Sequence, residues 1–159
     1  MRYRMREKLF AIGDDYWIET EDGERAFKVN GKALRIRKTL VVETPDGDEL
    51  FRIQERKLSV RDKMKIERGG ETVATVKKAL VSPLRDRYSI EVEGGDDLEA
   101  KGNIVDHEFE IKRGGDKVAE VSMRWFRVRD TYGIEVAPGQ DDGLILAVAV
   151  CIDQMGHER

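Results

Sequence analysis

The residues with the chemistry to act are few. Three Arg-Asp dipeptides, Arg61-Asp62, Arg85-Asp86 and Arg129-Asp130, recur at the same place in a repeating chain. Charged pairs in such an array suggest catalysis. Asp is also a common turn residue that bonds nearby backbone N–H groups, and a feature repeated once per unit is better read as architecture. His107 and His157 are the only histidines, and neither has a Cys or second His at metal-ligand spacing. Asp106-His107-Glu108 suggests a polarised imidazole, but strand neighbours point to opposite faces, which makes His107 a surface or bend residue. Ser59, Ser82, Ser89 and Ser122 are scattered, with no strand-to-helix elbow around them. No Gly-rich phosphate loop opens a helix. Trp17, Trp125 and Phe126 could stack a ligand, with core packing favoured. The single cysteine, Cys151, lies in an apolar run, where it packs as a small hydrophobe and fits a reducing compartment. From these residues we expect no enzyme, no metal and no cofactor.

The best binding chemistry is basic. Arg56-Lys57, Arg61, Lys63 and Lys65 lie in one unit, and Lys77-Lys78, Arg85 and Arg87 in the next. Adjacent units placed side by side would join these charges into one face for phosphates. A solvated strand surface cancelled by its Glu and Asp neighbours is the competing reading. Lys77, Lys78, Arg85 and Arg87 are the candidate ligand-binding residues. With 29 basic against 32 acidic residues the net charge is −3, so no nucleic-acid partner is expected. Apolar residues at 40% exclude a disordered chain, and 159 residues suffice for one domain, 1–159, with a real core. No apolar stretch near Met1-Arg2-Tyr3-Arg4 has the length of a secretory signal, and the expected location is cytoplasmic.

The elements that must position these residues follow from a repeat. Six Gly turns punctuate the chain: Asp22-Gly23, Asp46-Gly47, Gly69-Gly70, Gly94-Gly95, Gly114-Gly115 and Pro138-Gly139. Asp-Gly and Gly-Gly are hairpin signals, because their left-handed conformations match strand twist. Before each turn stands a pair two residues apart, which shares one strand face: Tyr16/Ile18, Leu40/Val42, Met64/Ile66, Tyr88/Ile90, Phe109/Ile111 and Tyr132/Ile134. Second strands follow five turns. Leu98-Glu99-Ala100-Lys101 is the most polar of them, with its apolar residues at the opposite parity, and reads as edge-like or irregular. With an N-terminal strand near Arg4 to Ala11 the count is about twelve. Short strands on an up-and-down path can close into a barrel, which removes exposed edges.

After the last turn the rule breaks. Leu144 to Ile152 is nine consecutive apolar residues, far short of the roughly 20 needed to span a bilayer. Asp141 or Asp142 can cap a helix there. A helix apolar on all sides must be buried all round, and a surrounding barrel would do that. A central buried strand is the alternative, with the helix over 144–154 preferred for its length and acidic cap. The expected fold is thus mainly β, an antiparallel barrel of about twelve strands enclosing a hydrophobic C-terminal helix.

Those hairpins, with Pro83-Leu84-Arg85-Asp86-Arg87-Tyr88, Trp125-Phe126-Arg127-Val128-Arg129-Asp130-Thr131-Tyr132-Gly133 and Cys151-Ile152-Asp153-Gln154-Met155, resemble the LURP-one-related family over nearly the whole chain. That family belongs to the Tubby C-terminal-like superfamily, which includes the phospholipid scramblases. The resemblance implies a twelve-stranded barrel around a hydrophobic helix, and a link to anionic lipid head groups through basic residues. No Tubby lipid motif matches individual positions. Scramblases are also associated with calcium, but Asp141 and Asp142 alone are too few for a loop of 6–8 oxygen ligands. A non-enzymatic lipid-binding module, peripheral to the membrane, is the function expected. A protein-interaction scaffold is the alternative.

Overall fold

The computed structural model describes residues 1–6, 15–31, 39–56, 63–78, 86–126 and 131–157. Twelve strands alternate up and down: β1 (Arg2–Arg6), β2 (Tyr16–Thr20), β3 (Arg25–Asn30), β4 (Thr39–Glu43), β5 (Glu49–Arg56), β6 (Lys63–Arg68), β7 (Glu71–Lys78), β8 (Asp86–Val92), β9 (Leu98–Asn103), β10 (Glu108–Arg113), β11 (Asp116–Ser122) and β12 (Thr131–Val136). Each pairs antiparallel with its chain neighbours. The barrel closes where β1 meets β12, with Tyr3 opposite Ile134 and Met5 opposite Tyr132. Among the described residues one helix, α1 (Asp142–His157), runs through the lumen.

The spacing of two explains the wall. Leu40 and Val42, Met64 and Ile66, Tyr88 and Ile90, and Tyr132 and Ile134 all point inward and are buried. Turn glycines Gly23, Gly47, Gly69, Gly70, Gly94, Gly114 and Gly139 all have positive φ, as the Gly turns require. The repeat extends to single atoms. Thr20 and Thr44 each bridge their turn the same way, with Oγ1 accepting from Glu24 N at 3.2 Å and from Asp48 N at 3.1 Å. A register shift follows the second inward residue in four units, at Ile18/Glu19, Val42/Glu43, Ile66/Glu67 and Ile111/Lys112.

The fourth unit corrects one expectation. β9 is not an edge, because it pairs with β8 on one side and β10 on the other. Leu98 and Ala100 face the core, buried opposite Ile90 and Tyr88. The parity looked reversed because the residue before the first inward one is apolar in the four bulged units (Ala26, Leu50, Val73, Val118) and is Asp97 here. Asp97 instead accepts the Val92 N–H at 3.2 Å, and this hairpin has no bulge.

Asp141 is the N-cap of α1. Its Oδ1 accepts from Leu144 N at 3.2 Å and its carbonyl from Ile145 N at 3.0 Å, so the helix starts two residues before the apolar run. Arg68 holds the same carboxylate at 3.0 Å, and Arg113 holds Gln140 at 2.9 Å. Tyr3 donates its hydroxyl to Asp142 in the first turn. From Ile145 to Asp153 every residue is buried. Each such aliphatic side chain contributes about 1.5–3 kcal/mol.

Val148 is fully buried, so Val148→Asp places an unpaired charge against the wall. It should abolish the cooperative thermal transition followed by circular dichroism; a normal transition near the wild-type temperature would disprove the central role of α1. Alkaline pH gives a second check. Burial, then the Asp142 carboxylate, pushes the Tyr3 phenol above its ordinary range, and burial does the same to the Cys151 thiol. Both groups keep their protons in the folded protein at pH values where the unfolded chain sheds them. Stability from these groups is therefore full below about pH 8.5 and lost as pH rises past about 10. In urea titrations across that window, Tyr3→Phe with Cys151→Ala should flatten the slope; an unchanged slope would place the alkaline loss elsewhere.

Candidate binding surface

The up-and-down path sorts the connections into two ends. Hairpin turns after β2, β4, β6, β8 and β10, and the link from β12 to α1, lie at one end. The connections after β1, β3, β5, β7, β9 and β11 join strands at the other, where α1 finishes. At the hairpin end the residues between elements include nine acidic and no basic side chains. The segments that join the strands ending at the opposite end carry, by sequence, eleven basic and six acidic residues, of which all the basic ones but Arg124 lie outside the described residues.

Three of the four candidate residues reach that second end, on different faces. Lys77 points outward on β7, opposite Lys63 of β6, and its Nζ donates to Glu91 Oε1 at 2.6 Å. Lys78 follows at the inward parity, half-buried beside its register partner Tyr88 at the barrel mouth. Arg87 points outward on β8, 3.9 Å from Glu99. Arg85, like Lys57 and Arg61, lies outside the described residues. The wall beside Lys77 and Arg87 is thus mixed in charge, and exposed pairs of this kind are worth little.

Two features differ from expectation. His107 is not on the surface. It sits at 2% exposure in the β9–β10 turn with φ of 53°, its Nε2 2.6 Å from Asp153 Oδ1 and its ring stacked on Tyr132 at 4.2 Å. Asp153, on the penultimate turn of α1, is also buried. The polarising carboxylate thus comes from 46 residues away, not from Asp106 or Glu108. With both groups under the wall, the pair ties the helix end to the β9–β10 turn.

The aromatics are outside the core. Trp17 lies on the outer wall under the Arg25 guanidinium, 4.5 Å from the ring centroid. Trp125 and Phe126 cover Gly133 on the outer face of β12, where a Cβ would meet them at 2.8 and 2.9 Å. Arg2 lies over Trp125 at 4.4 Å and Arg4 over Phe126 at 5.0 Å. Gly133 is what lets the aromatic cover approach the sheet. Ser122 is buried, its Oγ donating to Glu108 Oε1 at 3.0 Å.

A charged shell surrounds a barrel already filled by its own helix. The family is plain from comparison: the chain belongs to the LURP-one-related family, whose model matches residues 1–153. It is 26% identical over 151 residues to the uncharacterised protein YxjI of Bacillus subtilis (strain 168), covering 95% of this chain and 91% of that one. The X-ray structure of a protein from Arabidopsis thaliana shares the fold, with a TM-score of 0.73 at 17% identity over 98% of this chain and 92% of that one.

Removing one member of a buried hydrogen-bonded pair strands the other and costs about 1–3 kcal/mol, the desolvation of the group left behind. Asp153→Ala should lower stability by that amount in urea denaturation. His107→Phe with Asp153→Leu strands nothing and should cost clearly less. Equal losses in the two variants would show that the pair is not what locks the helix end.

Proposed function

We propose that this protein is a non-enzymatic binding module that seats on anionic phospholipid head groups through the end of the barrel where α1 finishes. What supports the reading is charge in the sequence: the segments joining strands at that end hold eleven basic and six acidic residues, ten of the basic ones outside the described residues, against nine acidic and no basic residues between the elements at the hairpin end. A net charge of −3 would by itself argue against an anionic ligand. Distance decides the matter. A helix of 16 residues is about 24 Å long, whereas charges are screened beyond about 8 Å at physiological ionic strength. The acidic hairpin end therefore cannot cancel the basic end at a surface that the basic end touches. Each basic residue near an anionic membrane contributes about 1 kcal/mol. No described helix is long and apolar enough to cross a membrane, so such binding is peripheral.

The mixed wall around Lys77–Glu91 and Arg87–Glu99 supports a second reading, a protein-interaction scaffold. Vesicle sedimentation separates them. The protein should pellet with vesicles of equimolar phosphatidylserine and phosphatidylcholine, not with phosphatidylcholine alone, and should release as salt rises. Replacing Lys77, Lys78, Arg85 and Arg87 by Gln should remove most of the difference with the melting temperature unchanged. Neutralising Asp46 and Asp48, at the hairpin end, should leave binding intact. Wild-type protein that ignores anionic vesicles even at low salt would leave the scaffold as the function.

A further inference from the structure

We propose that Trp125 and Phe126 form a clasp that fastens β1, the strand that closes the barrel, onto β12. β1 has the thinnest ladder in the wall. Among the described residues it has five register partners on β12 but two on β2, fewer than any other pair of neighbouring strands. A short strand held mainly from one side can open locally at a fraction of the free energy of global unfolding. The inner face of β1 is fixed by the buried Tyr3 and Met5. The clasp fixes its outer face.

The register shows how the segment crosses the seam. Ser122 at the end of β11 lies opposite Gly133 of β12, and Gly133 lies opposite Arg4 of β1. Trp125 and Phe126 follow β11 and cover Gly133, so the chain passes over β12 on its way to β1. Its take-off is fixed: Glu108 Oε1 accepts from Met123 N at 3.0 Å, and Ser122 Oγ accepts from Arg124 N at 3.1 Å and Nε at 3.0 Å. The far side belongs to β1. Arg2 and Arg4, two residues apart, share one face of that strand. Each guanidinium lies over one ring of the clasp, Arg2 on Trp125 and Arg4 on Phe126. Arg2 also donates to Glu135 of β12, from Nε at 3.1 Å and from Nη2 at 2.7 Å. Exposed cation–π contacts are weak singly, but here both act on the same short strand. Gly133 adds an independent sign. It is not among the glycines with positive φ, so its backbone does not require glycine. The rings do, since a Cβ there meets Trp125 Cε3 at 2.8 Å and Phe126 Cε2 at 2.9 Å.

Hydrogen exchange followed by mass spectrometry on the full chain tests the clasp. In Trp125→Ala with Phe126→Ala, the amides of β1 should exchange about tenfold faster than in the wild type, while those of β6 and β7 keep their rates. Gly133→Ala pushes the rings off the sheet without straining the backbone, and should speed β1 about threefold. Added to the double alanine variant, Gly133→Ala should change nothing further, because the rings it displaces are gone. Wild-type exchange at β1 in the double variant would overturn the clasp. So would an equal acceleration of all strands, which would make the rings ordinary packing. So would a full Gly133→Ala effect in the absence of the rings. If the double variant fails to fold, Gly133→Ala alone decides, by whether β1 accelerates ahead of β6 and β7 or with them.

Discussion

A helix that is apolar on every side cannot lie on a surface or against one sheet, and the rest of this molecule follows from enclosing it. Enclosure needs a wall on all sides, and a wall of strands has no free edges only when closed. Twelve short strands meet that need, and the β1–β12 pairing completes it. Closure also sets the placement of polar groups. Asp141 caps the start of the helix at one mouth, where Asp142 accepts from Tyr3, and Asp153 finds its imidazole at the other. The outside is left to charge.

Much of the fold was legible because it rests on local rules repeated many times. Met64/Ile66 and Leu40/Val42 declare an inward face by their spacing, and Gly pairs declare the hairpins. Leu144 to Ile152 declares burial by having no polar side. β9 looks irregular in sequence because its unit lacks the bulge of its siblings, which shifts its inward residues by one. Its parity becomes ordinary once Leu98 is set opposite Ile90.

The candidate site was legible only in part. Lys77, Lys78 and Arg87 do converge on one end, yet adjacent residues of a strand take opposite faces, and the counter-charges Glu91 and Glu99 come from neighbouring strands. His107 was missed because its partner lies on another element and no short-range signal links the two. Trp125 and Phe126 were assigned to the core by their size; their outer position depends on Gly133, which only the register reveals as the gap they fill. The charge axis was present as composition, but alternate connections must be assigned to alternate ends before it appears.

Chain order adds a temporal side to the enclosed helix. α1 follows all twelve strands, so a ribosome delivers the core of this domain last. Until then the inward faces of the strands have nothing to pack against, and β1 waits for a partner more than a hundred residues downstream. Contacts of such separation are slow to form and leave strand edges exposed meanwhile. The nascent wall is a sticky, open sheet through most of synthesis. Its alternating outer charges, including the Lys63 and Lys77 that face each other across β6 and β7, then have a duty apart from any ligand: they keep unfinished copies from pairing with one another.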